Sequence, residues 1–143
     1  MTVAVRPADP DDHVDIMRLF DGALLETDPN RIRSQLTGER GCLLVAERGG
    51  RPVAAVGLWT GPVDDRPTEW AEAVQITAIA VTTARRGQGV GRALIDAAAD
   101  WAAPRSLSAT FDERVLDFYT ACGFTIDERA GRLWGVRTPE TAD

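Results

Sequence analysis

The feature that most constrains this chain is a strand, a glycine-rich turn and a helix laid end to end between positions 76 and 101. Ile76, Thr77, Ala78, Ile79, Ala80 and Val81 carry neither charge nor proline and favour a strand with both faces partly covered. The pattern breaks at Arg85, Arg86, Gly87, Gln88, Gly89, Val90 and Gly91, where three alternate glycines let the backbone take positive φ and bring N–H groups close to a ligand. From Val90 onward Leu94, Ala97, Ala98 and Trp101 recur at helical spacing. A helix that starts on glycines gathers orphan N–H donors and the positive end of its dipole, so phosphate suits it.

Two phosphate-binding patterns are disfavoured by the residues around the end of the turn. A Walker A loop ends in Gly-Lys-Ser/Thr, whereas Gly91 precedes Arg92 and Ala93 in a chain without lysine. The dinucleotide fingerprint needs Gly-x-Gly-x-x-Gly, and Arg92 stands where its third glycine belongs.

At 143 residues and 44% hydrophobic content, the chain suits one compact domain over 1–143, with 138–143 as a frayed tail. No apolar run is long enough to span a membrane and no basic-then-apolar leader opens the chain, so the expected location is the cytoplasm. Cys42 and Cys122 are too few for a disulfide framework and no metal cluster is expected; each reads as a buried free thiol. His13, among Asp11, Asp12 and Asp15, reads as a solvated residue at a helix start. The net charge of -6 argues against a nucleic-acid surface and leaves room for cationic substrates. All 16 basic residues are arginine, which reads as a GC-rich coding bias or adaptation to high salt.

Taken in order, a short strand at 3–6 leads into a helix with Ile16, Met17, Leu19, Phe20, Ala23 and Leu24 on one face, capped by Asp9 or Asp11. Asp28 and Pro29 open a second helix that runs through Leu36 and stops at Gly38. Strands at 42–47 and 52–59 flank Gly49 and Gly50, a hairpin signal. The polar loop 61–70 reads as solvated at Asp64 and Asp65. For Glu69 and Glu72 a second reading stands beside it, carboxylates at one end of a cleft that hold an ammonium; the solvated reading is favoured for Glu69. A strand at 106–111 precedes a helix over 113–122, capped by Asp112, with Val115, Phe118, Tyr119 and Cys122 on one face. A last hairpin pairs 125–128 with 132–136 around Gly131. These elements in mixed order predict an α+β fold, a sheet with helices on both faces.

The run Arg86, Gly87, Gln88, Gly89, Val90, Gly91 resembles the acyl-CoA loop of the GNAT N-acetyltransferases, written Gln/Arg-x-x-Gly-x-Gly/Ala. Ile79, Ala80 and Val81 resemble the family's strand end before that loop, and Tyr119 with Gly123 and Phe124 its Tyr-x-x-x-Gly-Phe element. The resemblance implies a central, mostly antiparallel twisted sheet splayed at the cofactor site. It places the pantetheine arm of acetyl-CoA along Ile79, Ala80 and Val81, with Arg86, Gly87, Gln88, Gly89, Val90, Gly91 and Arg92 around the pyrophosphate. Arg85 and Arg92 read equally as phosphate contacts or as surface charges. Tyr119 matches the tyrosine beside the thioester sulfur that acts as general acid, and a backbone N–H near Val81 would hold the oxyanion. Some members carry a glutamate base on the central strand; the corresponding inward position here is Gln75, which cannot take a proton, so Glu72 acting through water is the candidate. Thr83, Arg85 and Asp112 stand where proline, an aromatic residue and asparagine are common. The implied function is acetyl transfer from acetyl-CoA to a primary amine by direct attack, by a possible homodimer. A non-catalytic acyl-CoA-binding module is the alternative, and a transferase acting on aminoacyl-tRNA a more distant one.

Overall fold

The computed structural model describes residues 3–23, 28–82 and 89–139. Its strands are β1 (Ala4–Pro7), β2 (Gly41–Arg48), β3 (Arg51–Trp59), β4 (Val74–Val81), β5 (Leu107–Phe111), β6 (Thr125–Arg129) and β7 (Arg132–Arg137). Its helices are α1 (His13–Gly22), α2 (Pro29–Thr37), α3 (Val90–Ala102) and α4 (Leu116–Ala121). The strands form one sheet in the order β1-β2-β3-β4-β5-β7-β6, antiparallel throughout except where β4 lies parallel to β5.

Alternation along each strand supplies two apolar faces, and each takes a pair of helices. On one face Ile16 and Phe20 of α1 and Ile32 of α2 pack on Leu43, Val45, Ala55, Ala78 and Ala80. On the other, Val90, Leu94, Ile95, Ala98 and Ala102 of α3, with Tyr119 of α4, pack on Leu44, Val56, Leu58, Val74, Ile76, Leu107 and Ala109. The expected α+β sheet with helices on both faces is what forms. Arg6 fastens β1 to the start of α1, its guanidinium donating to Asp12 Oδ2 at 2.7 Å and Glu47 Oε2 at 2.8 Å.

Several local expectations shift. Trp101 is 38% exposed, because the buried stripe of α3 centres on Leu94 and Ala98 and the indole falls at its margin. The helix expected over 113–122 splits into a 3-10 turn at Glu113–Val115 and the short α4. Asp112 caps that turn by accepting from Arg114 N at 3.0 Å, and Val115 is left 41% exposed. Cys122 is buried as expected, whereas Cys42 is only half-buried; both are free thiols. His13 is exposed, and Asp9 rather than Asp11 caps the first turn, accepting from Asp11 N at 2.8 Å. Leu24 lies outside the described residues.

Candidate active site

The central strand carries an irregularity that the sequence pattern hides. Gly57 stands opposite Ala78 and Leu58 opposite Ile76, so Thr77 is an extra residue without a partner on β3. This bulge reverses the side-chain alternation: Val74 and Ile76 belong to the α3 face, whereas Ala78 and Ala80 belong to the α1 and α2 face. Backbone direction reverses too. Before the bulge Val74 N–H points toward β5, donating to Ser106 O at 2.8 Å; after it Thr82 N–H points toward β3, donating to Val53 O at 2.9 Å. By strand alternation Ala78 and Ala80 also face β3, and Ile79 and Val81 turn their backbone groups toward β5.

Between β4 and β5 a gap opens. The two strands pair only at Val74 with Leu107 and Gln75 with Ser108, although β4 runs on to Val81 and β5 to Phe111. The sheet is thus splayed, as the resemblance implies, and Ile79 and Val81 border the wedge.

The mouth of the wedge is built from helix ends. Gly89 takes φ 79 ahead of α3, a left-handed conformation that glycine adopts without strain. Gly91 is needed for a different reason, since a Cβ there would lie 2.9 Å from Phe118 Cε1 and 3.7 Å from Val81 Cγ2. This close approach brings the first turn of α3, the end of β4 and α4 together. Val90 is buried beside them and Arg92 is exposed. Arg86, Gly87 and Gln88 lie outside the described residues, as does Arg85.

Tyr119 fills the other side of the mouth. Its ring stacks on Phe111, at the end of β5, at 4.3 Å and 15°, and meets Phe118 and Phe124 edge-on at 5.3 and 5.1 Å. Burial pushes its phenol up to about 12, which keeps it protonated through the neutral range. The same desolvation raises the Cys122 thiol nearby.

At the vertex, on the α2 face, lies a hydrogen-bonded chain that sequence reasoning missed. Ser108 Oγ donates to Gln75 Oε1 at 2.5 Å, and Arg66 Nη1 lies 3.4 Å from Ser108 Oγ. Arg66 also donates to Ala73 O at 2.9 Å and Ala71 O at 2.7 Å, strapping the preceding loop to the vertex. Burial lowers the Arg66 guanidinium, and the charge of Glu72, exposed on that loop, offsets this only in part. Glu72 stands at the opposite end of β4 from the Tyr119 ring. Glu69 is exposed and accepts from Arg129 Nη1 at 2.6 Å in a surface ion pair, and Trp70 packs 6.2 Å from Trp134. Among the described residues no group of His, Cys, Asp or Glu could hold a metal, and no helix is long and apolar enough to cross a membrane.

Comparison with known proteins agrees with this architecture. The family model described as the acetyltransferase (GNAT) family matches residues 12–124, so the chain belongs to the GNAT acetyltransferase family. No curated protein matches. Among solved structures, an acetyltransferase of Corynebacterium glutamicum related to histone acetyltransferase HPA2 superposes with a TM-score of 0.74 at 18% identity, covering 99% of both chains. The Salmonella typhimurium protein yncA, solved with its cofactor acetyl-CoA, gives 0.73 at 20% identity, over 100% of this chain and 98% of that one. N-acetylglutamate synthase of Neisseria gonorrhoeae, complexed with coenzyme A and N-acetyl-glutamate, gives 0.76 at 15% identity over 99% of this chain and 36% of that one.

Proposed function

We propose that this chain transfers the acetyl group of acetyl-CoA to a primary amine by direct attack in a ternary complex. The observation that carries the reading is the wedge between β4 and β5, with the start of α3 and the Tyr119 ring at its mouth. A pantetheine arm laid in the wedge would pair with the backbone of Ile79 and Val81 beside Ala80. Its pyrophosphate would meet the N–H groups of Gly89, Val90 and Gly91, with Arg86, Gly87, Gln88 and Arg92 around it. In the reaction the neutral amine attacks the thioester carbon, a β4 N–H near Val81 holds the oxyanion, and the C–S bond breaks.

Tyr119 then supplies a proton to the leaving sulfur and regains one, through water, from the attacking nitrogen as the amide forms. A phenol near 12 is a poor acid toward a free thiolate, whose parent thiol titrates near ~8.5. In this site the mismatch shrinks, because the burial that raises the Tyr119 phenol would also raise a thiolate placed beside it. The acceptor ammonium, titrating near ~10 for an alkyl amine, sheds its proton into waters of the cleft that lead along β4 to Glu72 at its far end. The protein acts in the cytoplasm as one domain.

The test is acetyl-CoA-dependent thiol release by the purified protein across amines, amino acids and peptide N-termini. Turnover on one acceptor class, lost in Tyr119→Phe with acetyl-CoA affinity retained, is expected. Acetyl-CoA binding without turnover on any acceptor would overturn the catalytic reading in favour of a binding module.

A further inference from the structure

One polar side chain in α2 occupies a position that helical periodicity assigns to the core. Gln35 follows Ile32 by three residues and is 1% exposed. Its Nε2 spends both hydrogens, donating to Leu58 O at 3.0 Å and to Thr77 Oγ1 at 2.9 Å. The Leu58 carbonyl can only accept, so the amide cannot be reversed without setting two acceptors against each other. Its Oε1 is left buried with no partner among the described residues. Burying a bare carbonyl oxygen is unfavourable, and an apolar side chain would fill the space without that cost. What the glutamine gains is a grip on both strands at the bulge, because Leu58 flanks the register shift on β3 and Thr77 is the extra residue on β4.

The neighbouring backbone is shaped to admit this grip. A Cβ on Gly57 would lie 2.7 Å from Thr77 Oγ1 and 3.1 Å from Gln35 Nε2, so any larger residue would displace the pair. The bulge they hold decides which backbone groups of β4 look into the wedge. With Thr77 inserted, Ile79 and Val81 do; in an unbulged strand that kept the direction of Val74, Ala78 and Ala80 would take their place.

We propose that Gln35 is a positioning residue for acetyl transfer: through Thr77 it locks the bulge that aims the Ile79 and Val81 backbone at the thioester. This rests on the acetyl-transfer reading above. Gln35 touches no reacting atom, and its effect passes through the direction of the strand.

The test compares Gln35→Met, which keeps the length and loses both donors, with Thr77→Val and Thr77→Ser. Misaimed reacting groups lower turnover steeply, so kcat is expected to fall by at least about tenfold in Gln35→Met and in Thr77→Val. CoA affinity by calorimetry should stay within about threefold, and the double variant should be no slower than the worse single one, since both remove one interaction. Thr77→Ser retains the hydroxyl and should retain turnover. In Gln35→Met the backbone amide resonances of 76–79 should move while those of 125–137 stay. Unchanged kcat with unmoved amides, even alongside a lower melting temperature, would overturn the proposal and leave Gln35 as filler. Thr77→Val carries the test from the other end of the bond should Gln35→Met fail to fold. A wild-type protein that transfers to no acceptor would sink the acetyl-transfer reading by itself, and the amide shifts would still decide whether Gln35 sets the bulge.

Discussion

A phenol enclosed by Phe111, Phe118 and Phe124 holds its proton because the anion would lose its hydration, and this single residue connects the packing of α4 to the chemistry proposed for the wedge. Removing only the hydroxyl, as in Tyr119→Phe, keeps the stack on Phe111. The expected outcome is a fall in kcat of about 100-fold, in the range of general acid catalysis, with acetyl-CoA affinity by calorimetry within about twofold. Retained turnover would take Tyr119 out of the reaction. The same residue shapes stability in alkali. Its pKa rises from 10.0 in the unfolded chain to about 12 in the fold, so its contribution is complete below pH 10 and is lost as pH climbs toward 12. Urea unfolding at pH 9 and pH 11.5 should show that loss in the wild type and a smaller one in Tyr119→Phe. The burial of Tyr119 was legible in the sequence from its place beside Phe118 and Cys122 on the apolar face of the last helix. Gln35 was not used, although a lone amide at an apolar-face position is itself a signal. Its partners, Leu58 and Thr77, lie 23 and 42 positions away, and periodicity says nothing about contacts at that distance.

Elements were legible where one local pattern decided them. Alternating and helical apolar spacing set the seven strands and the positions of α1, α2 and α3, because each buries one stripe against a sheet that needs covering. The bulge escaped because alternation is assumed on both sides of it; a glycine inside β3, at Gly57, was the only trace. The three glycines after β4 read alike in the sequence, yet Gly89 and Gly91 act differently. At Gly89 the requirement is conformational, with no atom of the described residues within 4 Å of an added Cβ, so Gly89→Ala should destabilise by about 1 kcal/mol through backbone strain and leave the packing of α3 intact. At Gly91 the requirement is steric, since the added methyl meets the Phe118 ring beside Tyr119. Gly91→Ala should destabilise by about 1–3 kcal/mol and weaken acetyl-CoA binding as well, because the displaced ring narrows the mouth of the wedge. Urea unfolding and calorimetry on the two variants separate these outcomes, and equal effects on binding would contradict the distinction.

Across the whole molecule, the sheet is two antiparallel blocks, β1 to β4 and β5 to β7, joined by two parallel rungs and the Arg66 strap. So thin a seam would come apart but for the α3 face, whose apolar cluster takes residues from both blocks, Leu44 and Val56 on one side and Leu107, Ala109 and Phe124 on the other. That shared core argues for one cooperative unfolding transition, with the seam as its weakest place. A ligand seated in the wedge would supply backbone partners that β5 does not, and would add to stability in proportion to its occupancy. At a hundred times its dissociation constant acetyl-CoA should raise the unfolding free energy by about 2.7 kcal/mol. Hydrogen exchange should locate the seat, because amides in 76–82 and 107–111 that open locally should slow beyond the common gain that global unfolding gives every strand. Two separate transitions would mean that the blocks fold independently. No slowing in 76–82 and 107–111 beyond that common gain would mean that the ligand binds away from the gap, and the wedge would lose its proposed role as the cofactor's seat.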